Sequence, residues 1–276
     1  MTMTNNTNAF KQALANQQAQ IGLWLSLANA YTSEICAEAG FDWLLLDGEH
    51  APNDLRSMLA QLQAIAPFPA SHPIGRIPLG HGEAGVANIK QYLDLGFQTL
   101  LVPMVDTPEQ AQQLVRATRY PQADDKSGLR GMAGTRASRW GRRPNYAREA
   151  NDSICLLVQV ETQSGLDHLE AIANTPGVDG VFIGPADLSA AIGHPGNATH
   201  PEAQATIDEA IRRIVKTGKA AGILTSDETL GRHYLALGAT FVAVGLDINI
   251  LVRQSSALAK LYKTDLKVAT PTDKTY

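Results

Sequence analysis

A chain of 276 residues with a formal charge of -4 is long enough to bury a sizeable core, whether as one barrel or as two smaller domains. The mildly acidic balance, with a pI near 6.0, excludes the basic footprint of a nucleic-acid binder or of a protein held on an anionic membrane, and favours small-molecule chemistry. The first ten residues lack the basic start and apolar run of a secretory signal, and no apolar stretch approaches the length that crosses a bilayer, so a cytoplasmic protein is expected.

In chain order, "IGLWLSL" from 21 reads as a strand and "TSEICAEAG" as a helix. "WLLLDG" from 43 is followed by the amphipathic "NDLRSMLAQLQAI", "PIGRI" from 73 by "VANIKQYLDLG", and "TLLVPMV" from 99 by "TPEQAQQLVRATRY". The link from Tyr120 to Asp152 breaks the rhythm, and a connection of that length is expected to be functional or disordered. "ICLLVQVE" from 154 then precedes the helical "LDHLEAIAN", "GVFIG" from 180 precedes "PEAQATIDEAIRRIVKTG", "GILTS" from 222 precedes "TLGRHYLALG", and "FVAVG" from 241 precedes "LVRQSSALAKLY". Several helices open on Thr or Asn and several close on Gly, the residues that satisfy free N–H groups and permit a left-handed stop.

Eight nearly all-apolar strands alternating with helices imply parallel strands covered on both faces, most economically a (β/α)8 TIM barrel in one domain over 1–276. A doubly wound sheet would carry a glycine-rich phosphate turn after its first strand, and "WLSLANA" is not one. The polar ends, 1–8 and 264–276, are expected to fray. Cys36 and Cys155 have neither zinc spacing nor disulfide density and read as inert buried thiols.

In "LVQVET" the strand period of two puts Gln159 and Glu161 on one face, which near the C-terminal end of a barrel strand points into the mouth. A structural salt bridge is the plain alternative. Other strand ends carry Asp47, Glu49 and His50, then Arg76, and "GPAD" leads to Asp187. Polar groups that choose the same end of several strands point to the catalytic rim of a barrel. Two carboxylates in oxygen-rich company suit a hard divalent cation, magnesium or manganese, better than zinc. Gly184 and Pro185 turn the backbone sharply before Asp187, so that N–H groups about Gly184 and Ala186 could receive a carboxylate.

From "IGLWLSLANAYTSEICAEAGFDWLLLDGEHAPND" through "TLLVPMV", "RASRW", "LVQVET", "GVDGVFIGPADLSAAIG" and "FVAVGLD", nearly the whole chain resembles the HpcH/HpaI aldolases, metal-dependent class II pyruvate aldolases typified by 4-hydroxy-2-oxoheptanedioate aldolase. The resemblance implies a (β/α)8 barrel with its last helix exchanged between subunits, a homohexamer built as a trimer of dimers, and a divalent cofactor, Mg2+ or Mn2+ with Co2+ as a third choice. It makes Glu161 and Asp187 the metal ligands, Gln159 the support for a bound water or substrate, and Arg76 the partner of the keto oxygen. His50 with Asp47 would serve proton transfer, and Asp94 in "IKQYLDLG" would pair with the histidine, across a subunit interface if need be. The implied substrates are a small 2-oxo acid and an aldehyde, with Trp24 and Leu224 as candidate apolar walls of the aldehyde pocket.

Two stretches depart from the family pattern: "YPQADDKSGLRG" is longer than the usual link, and "IPLGHGEAG" after Arg76 is richer in glycine. The arginines of "RASRWGRR" could meet an anionic substrate tail or a neighbouring subunit. A Schiff-base aldolase is disfavoured, since Lys90, Lys216, Lys219 and Lys260 all fall in or beside helical segments. A citrate-lyase or malyl-CoA-lyase-like activity and a non-catalytic 2-oxo acid binding barrel remain as alternatives.

Overall fold

Strands that are apolar on both faces need cover on both, and here they find it by closing on themselves with helices outside. The computed structural model describes residues 7–263. Its first half runs α1 (Ala9–Ala15), β1 (Gln20–Leu25), α2 (Ala30–Glu38), β2 (Trp43–Asp47), α3 (Leu55–Ile65), β3 (His72–Arg76), α4 (Gly82–Leu95), β4 (Thr99–Val102) and α5 (Pro108–Thr118). After a 3-10 turn at Arg136–Ser138 come α6 (Tyr146–Ser153), β5 (Cys155–Val160), α7 (Gln163–Asp167), α8 (Leu169–Ala173), β6 (Gly180–Ile183), α9 (Pro185–Ala191), α10 (Pro201–Lys216), β7 (Ala220–Leu224), α11 (Glu228–Ala236), β8 (Phe241–Leu246) and α12 (Asp247–Tyr262). The strands pair in sequence order, all parallel, and β8 returns to β1, so the barrel is closed.

Alternation along each strand separates two cores. Leu44 and Leu46, or Leu156, Val158 and Val160, face the helices, whereas Trp43 and Leu45, or Cys155 and Leu157, fill the barrel. Inside, aromatic rings stack in a column: Phe10 lies 6.3 Å from Phe241, Phe241 6.0 Å from Phe182, and Phe182 5.6 Å from Trp24. Gly22 makes room for it, since a Cβ there would collide with the Trp43 ring. Continuing the inward phase beyond this apolar column brings Asp47, Arg76, Gln159 and Glu161 to the C-terminal mouth.

Fraying up to residue 8 is not what the structure has. Asn8, buried, caps α1 by accepting from the Lys11 N–H, and its Nδ2 donates to Gln98 O, Thr99 Oγ1 and Ser153 O at 3.2, 3.0 and 3.1 Å. The helix it anchors plugs the N-terminal end of the barrel with Phe10 and Leu14. Residues 1–6 and 264–276, the rest of the expected frayed ends, lie outside the described residues. The long link after Tyr120 is built rather than loose: Asn151 exchanges hydrogen bonds with the Tyr120 backbone at 2.8 and 2.9 Å, and the Arg130 guanidinium is buried against the Tyr120 ring, 4.2 Å from its centroid.

Helix signals mostly act where expected. Thr107 with Gln110 forms a capping box ahead of Pro108 in α5, Asp54 with Ser57 does so for α3, and α4 stops at the left-handed Gly96. Cys155 is buried and Cys36 half-buried, and burial raises both thiols, Cys36 to about 11, which keeps them protonated. No helix among the described residues is long and apolar enough to cross a membrane.

Candidate active site

A cavity of about 530 Å3 opens at the C-terminal mouth, lined by Trp24, Ser26, Asp47, His50, Arg76, Gln159, Phe182, Gly184, Pro185, Ala186, Asp187, Leu224, Leu246, Ile248 and Asn249. Its apolar floor is the top of the aromatic column, and its polar groups come from the ends of β2, β3, β5 and β6. Asp47 and Arg76 are direct neighbours in the β2–β3 register. Their side chains meet bidentately, Nε to Oδ1 at 2.9 Å and Nη2 to Oδ2 at 2.6 Å, while the Arg76 guanidinium sits over the Trp24 ring at 4.8 Å and Trp24 Nε1 donates to Asp47 Oδ2 at 3.1 Å. That fork leaves Nη1 of Arg76 free of Asp47, turned to Glu49 Oε2 at 2.8 Å.

Asp47 also accepts from the Glu49 and His50 N–H groups at 2.9 and 3.2 Å, which fixes the turn carrying both residues. Burial pushes the Asp47 carboxyl up, but the Arg76 hydrogen bonds and charge outweigh it and hold the group below the usual carboxylate range. The His50 ring projects into the mouth with its side chain 62% exposed, and its acidic neighbour is Glu49, with Nε2 3.9 Å from Oε2. Asp47 thus acts on His50 through the backbone, and its carboxylate is spent on Arg76 and Trp24.

Glu161 follows β5 and is buried. Its Oε1 accepts from the Met104 N–H at 2.9 Å and its Oε2 from Gln159 Nε2. Burial is the main reason its carboxyl rises to about 7, with the negative charges of Asp187 and Glu49 adding to it. Met104 holds a left-handed φ of 57°, unusual for a side-chain-bearing residue and strained by roughly 1–3 kcal/mol. Gly184, the residue before α9, has to be glycine: a Cβ there would run into the Glu161 carboxylate and lie 3.0 Å from Gln159 Nε2. Asp187 stands in the first turn of α9, exposed to the mouth.

Glu49 is the group that sequence reasoning noted at the rim without a role. Burial raises its carboxyl, Arg76 lowers it, and Asp47 and Asp187 raise it again. Its Oε2, in ion-pair range of Arg76 but not aligned for a hydrogen bond, and the Oε1 of Gln159 are buried polar atoms without a hydrogen-bond partner among the described residues. Buried acceptors left over beside two further carboxylates are what a hard cation with its waters would satisfy, so the donor set fits a divalent ion bound by oxygen. Met104 carried no signal at all, since a backbone N–H donor has no letter of its own. Phe182, Leu246, Ile248 and Asn249 also line the cavity; Phe182 reads in sequence only as part of a strand, and the other three fall between the last expected strand and the last expected helix.

Asp94 stands apart. It lies in the last turn of α4, at the end of the barrel where β4 begins, with its Oδ1 3.5 Å from the buried Arg130 Nη2. Within one chain it does not reach the cavity.

A model of the HpcH/HpaI aldolase/citrate lyase family matches residues 20–253. The chain belongs to the HpcH/HpaI aldolase/citrate lyase family. Within that family it is 61% identical over 259 residues to the hydroxypyruvate/pyruvate aldolase of Deinococcus radiodurans, covering 93% of this chain and 90% of the relative. It is 53% identical over 269 residues to the 4-hydroxy-2-oxo-heptane-1,7-dioate aldolase of Klebsiella pneumoniae subsp. pneumoniae, covering 97% and 98%. The crystal structure of an HpcH/HpaI aldolase/citrate lyase family protein from Burkholderia cenocepacia superposes with a TM-score of 0.88 at 39% identity, over 93% of this chain and all of that one. The aldolase family and the TIM barrel expected from the sequence are both found.

Proposed function

We propose that this chain is a divalent-metal-dependent aldolase, a carbon–carbon lyase that reversibly cleaves 4-hydroxy-2-oxo acids to a 2-oxo acid and an aldehyde. The observation that carries the reading is the convergence at one mouth of Asp187 and Gln159, which line the cavity, with Glu161, which accepts from Gln159 and whose carboxyl is raised by the charges of Asp187 and Glu49, leaving Gln159 Oε1 a buried acceptor without a partner among the described residues, beside the edge of Arg76 that Asp47 leaves open. Pyruvate is the first candidate 2-oxo acid. Hydroxypyruvate is the second, favoured by the name of the relative that is 61% identical.

Glu161 and Asp187 would hold the ion, magnesium or manganese, with Gln159 and Glu49 orienting its waters. When bound, the ion supplies a Lewis acid that polarises the keto oxygen and makes the neighbouring carbon acidic. Arg76 Nη1 donates to that oxygen as negative charge builds on it, held in aim by the Asp47 fork. His50, on a turn fixed by Asp47, takes and returns protons at its ring in the mouth. The N–H groups of Ala186 and Asp187 in the first turn of α9, whose N-cap Gly184 has no side chain to satisfy them, would receive the substrate carboxylate beside Gly184, while the Gly184 N–H itself donates to Val160 O at 3.1 Å. Trp24 and Leu224 would wall the aldehyde side, since both line the cavity and are buried.

The protein is proposed to be cytoplasmic and homohexameric, a trimer of dimers with α12 exchanged between neighbours. Support comes from α12 itself, which carries exposed Leu251, Leu258 and Leu261 and buries only Asp247. In that assembly Asp94, remote within its own chain, would serve a neighbour's histidine. Release of pyruvate from 4-hydroxy-2-oxoheptanedioate, measured before and after stringent chelation and again after adding manganese or magnesium, tests the reading. Activity should vanish and return. Activity that survives chelation sinks metal dependence, and turnover of coenzyme A thioesters in its place would favour a citrate-lyase-like reaction. Tight binding of pyruvate without exchange of its methyl protons would favour a non-catalytic barrel.

A further inference from the structure

We propose that His194, His200 and Glu202 form a second divalent-metal site, chemically distinct from the oxygen-lined cavity and suited to imidazole-seeking transition ions such as zinc, cobalt(II), nickel or copper(II). The three side chains each bring one ligand atom to within 4.8 Å of the others. His194 Nε2 is already 2.8 Å from Glu202 Oε2, and the two imidazoles stack with centroids 3.6 Å apart and planes 18° from parallel. The His200 Nδ1 caps α10, accepting from the Glu202 N–H at a long 3.3 Å, a bond that yields if Nδ1 rather than Nε2 takes the ion.

The framework behind these side chains is fixed. The His194 N–H donates to Ser189 O at 2.7 Å, Asn197 N to His194 O at 3.1 Å, and His200 N to Asn197 O at 3.0 Å, while Gln204 Nε2 holds Ala198 O at 2.7 Å. Gly193 and Gly196 supply the left-handed turns that bend residues 192–200 back on themselves. A rigid turn ending in Pro201 at the start of α10 therefore presents three ligands from a short stretch of chain.

Donor chemistry sets the selectivity. Two nitrogens and one carboxylate oxygen suit zinc and its neighbours, whereas magnesium and calcium prefer oxygen alone. Three protein ligands leave at least one position for water. As they stand, parallel rings cannot both direct a lone pair at one ion, so the imidazoles splay as it enters. Both are only half-buried and have room to turn. Occupancy would tie the turn to α10 and, through the His194–Ser189 bond, to α9, the helix that carries Asp187.

The test uses the full-length protein in saturating magnesium, which fills the oxygen-lined cluster and competes poorly for imidazole. Zinc titrated by calorimetry should bind at about one equivalent per chain, more tightly as pH rises, because ligands must be deprotonated. His194→Ala with His200→Ala should weaken that binding at least about tenfold, and Glu161→Gln should leave it unchanged. Unaltered zinc binding in the double variant, or its loss in Glu161→Gln alone, overturns the proposal. A readout that needs no variant is anomalous scattering at the zinc edge from a zinc-soaked crystal: a peak among the three side chains supports the site, and peaks only elsewhere overturn it. None of these outcomes bears on the aldolase reading, which rests on different residues.

Discussion

At the scale of single residues the mouth is organised by Arg76, which meets Asp47 with two nitrogens, Glu49 with the third, and the Trp24 face with its plane. A planar fork with fixed donors can hold one edge on a carboxylate while the other faces a reacting oxygen, and lysine cannot. Arg76→Ala is therefore expected to lower turnover by roughly 10²–10³, the usual effect of removing one donor to a developing oxyanion. Arg76→Lys should recover little of it. Steady-state kinetics on the manganese-loaded enzyme decides, with circular dichroism as the fold control, since the substitution also strips Asp47 of its partner. Turnover within threefold of wild type would remove Arg76 from the reaction.

At the scale of elements, α1 shows how tertiary context overrides a reading of polar termini. His72 opens β3 beneath it, stacked on Phe10 at 5.3 Å with Nε2 2.7 Å from Thr99 Oγ1, and burial lowers its pKa from 6.5 to about 4. Between those values the unfolded chain binds a proton that the folded one refuses, so stability is fully present above about 6.5 and drains away as pH falls toward 4. The loss attributable to this group is roughly 1–3 kcal/mol. His72→Gln, which cannot titrate, should be less stable than wild type at pH 7 and should narrow that gap in urea midpoint by pH 4.5. Parallel midpoints across the range would show that His72 stays unlinked to folding.

The same elements explain what was legible. All eight strands stood out because each is a short apolar run, and Asp47, Arg76, Gln159 and Glu161 stood out because they interrupt such runs at one end. Short helices did not: α6 and α9 are eight and seven residues long, too brief for a periodic stripe. Glu49 was visible as a letter at the rim, but that its charge, with that of Asp187, raises the Glu161 carboxyl depends on how three loops converge. The Met104 N–H could not be foreseen, since it rests on a left-handed backbone at a residue that rarely adopts it.

At the scale of the whole molecule the chain leaves one helix without a bed. From Ile248 onward α12 buries no residue, and Leu258 and Leu261 are 59% and 77% exposed, while Tyr31 and Ile35 of α2 add further exposed apolar surface. Apolar surface of that extent is what the proposed packing of α12 on another copy would cover. The helix is also tied to the cavity: its first turn supplies Ile248 and Asn249 to the lining, and Asp247 accepts from the Ser26 and Leu27 N–H groups at 2.8 and 3.2 Å. In an isolated chain, Leu251→Glu with Leu258→Glu would fall at solvent-exposed positions and shift stability by no more than about 0.5 kcal/mol each. If α12 packs on a neighbour, the same pair buries two charges in an apolar contact, and light scattering should register a smaller assembly, a lower thermal midpoint and reduced turnover together. An unchanged mass and midpoint would mean that α12 is free in solution and that the cavity is complete within a single chain.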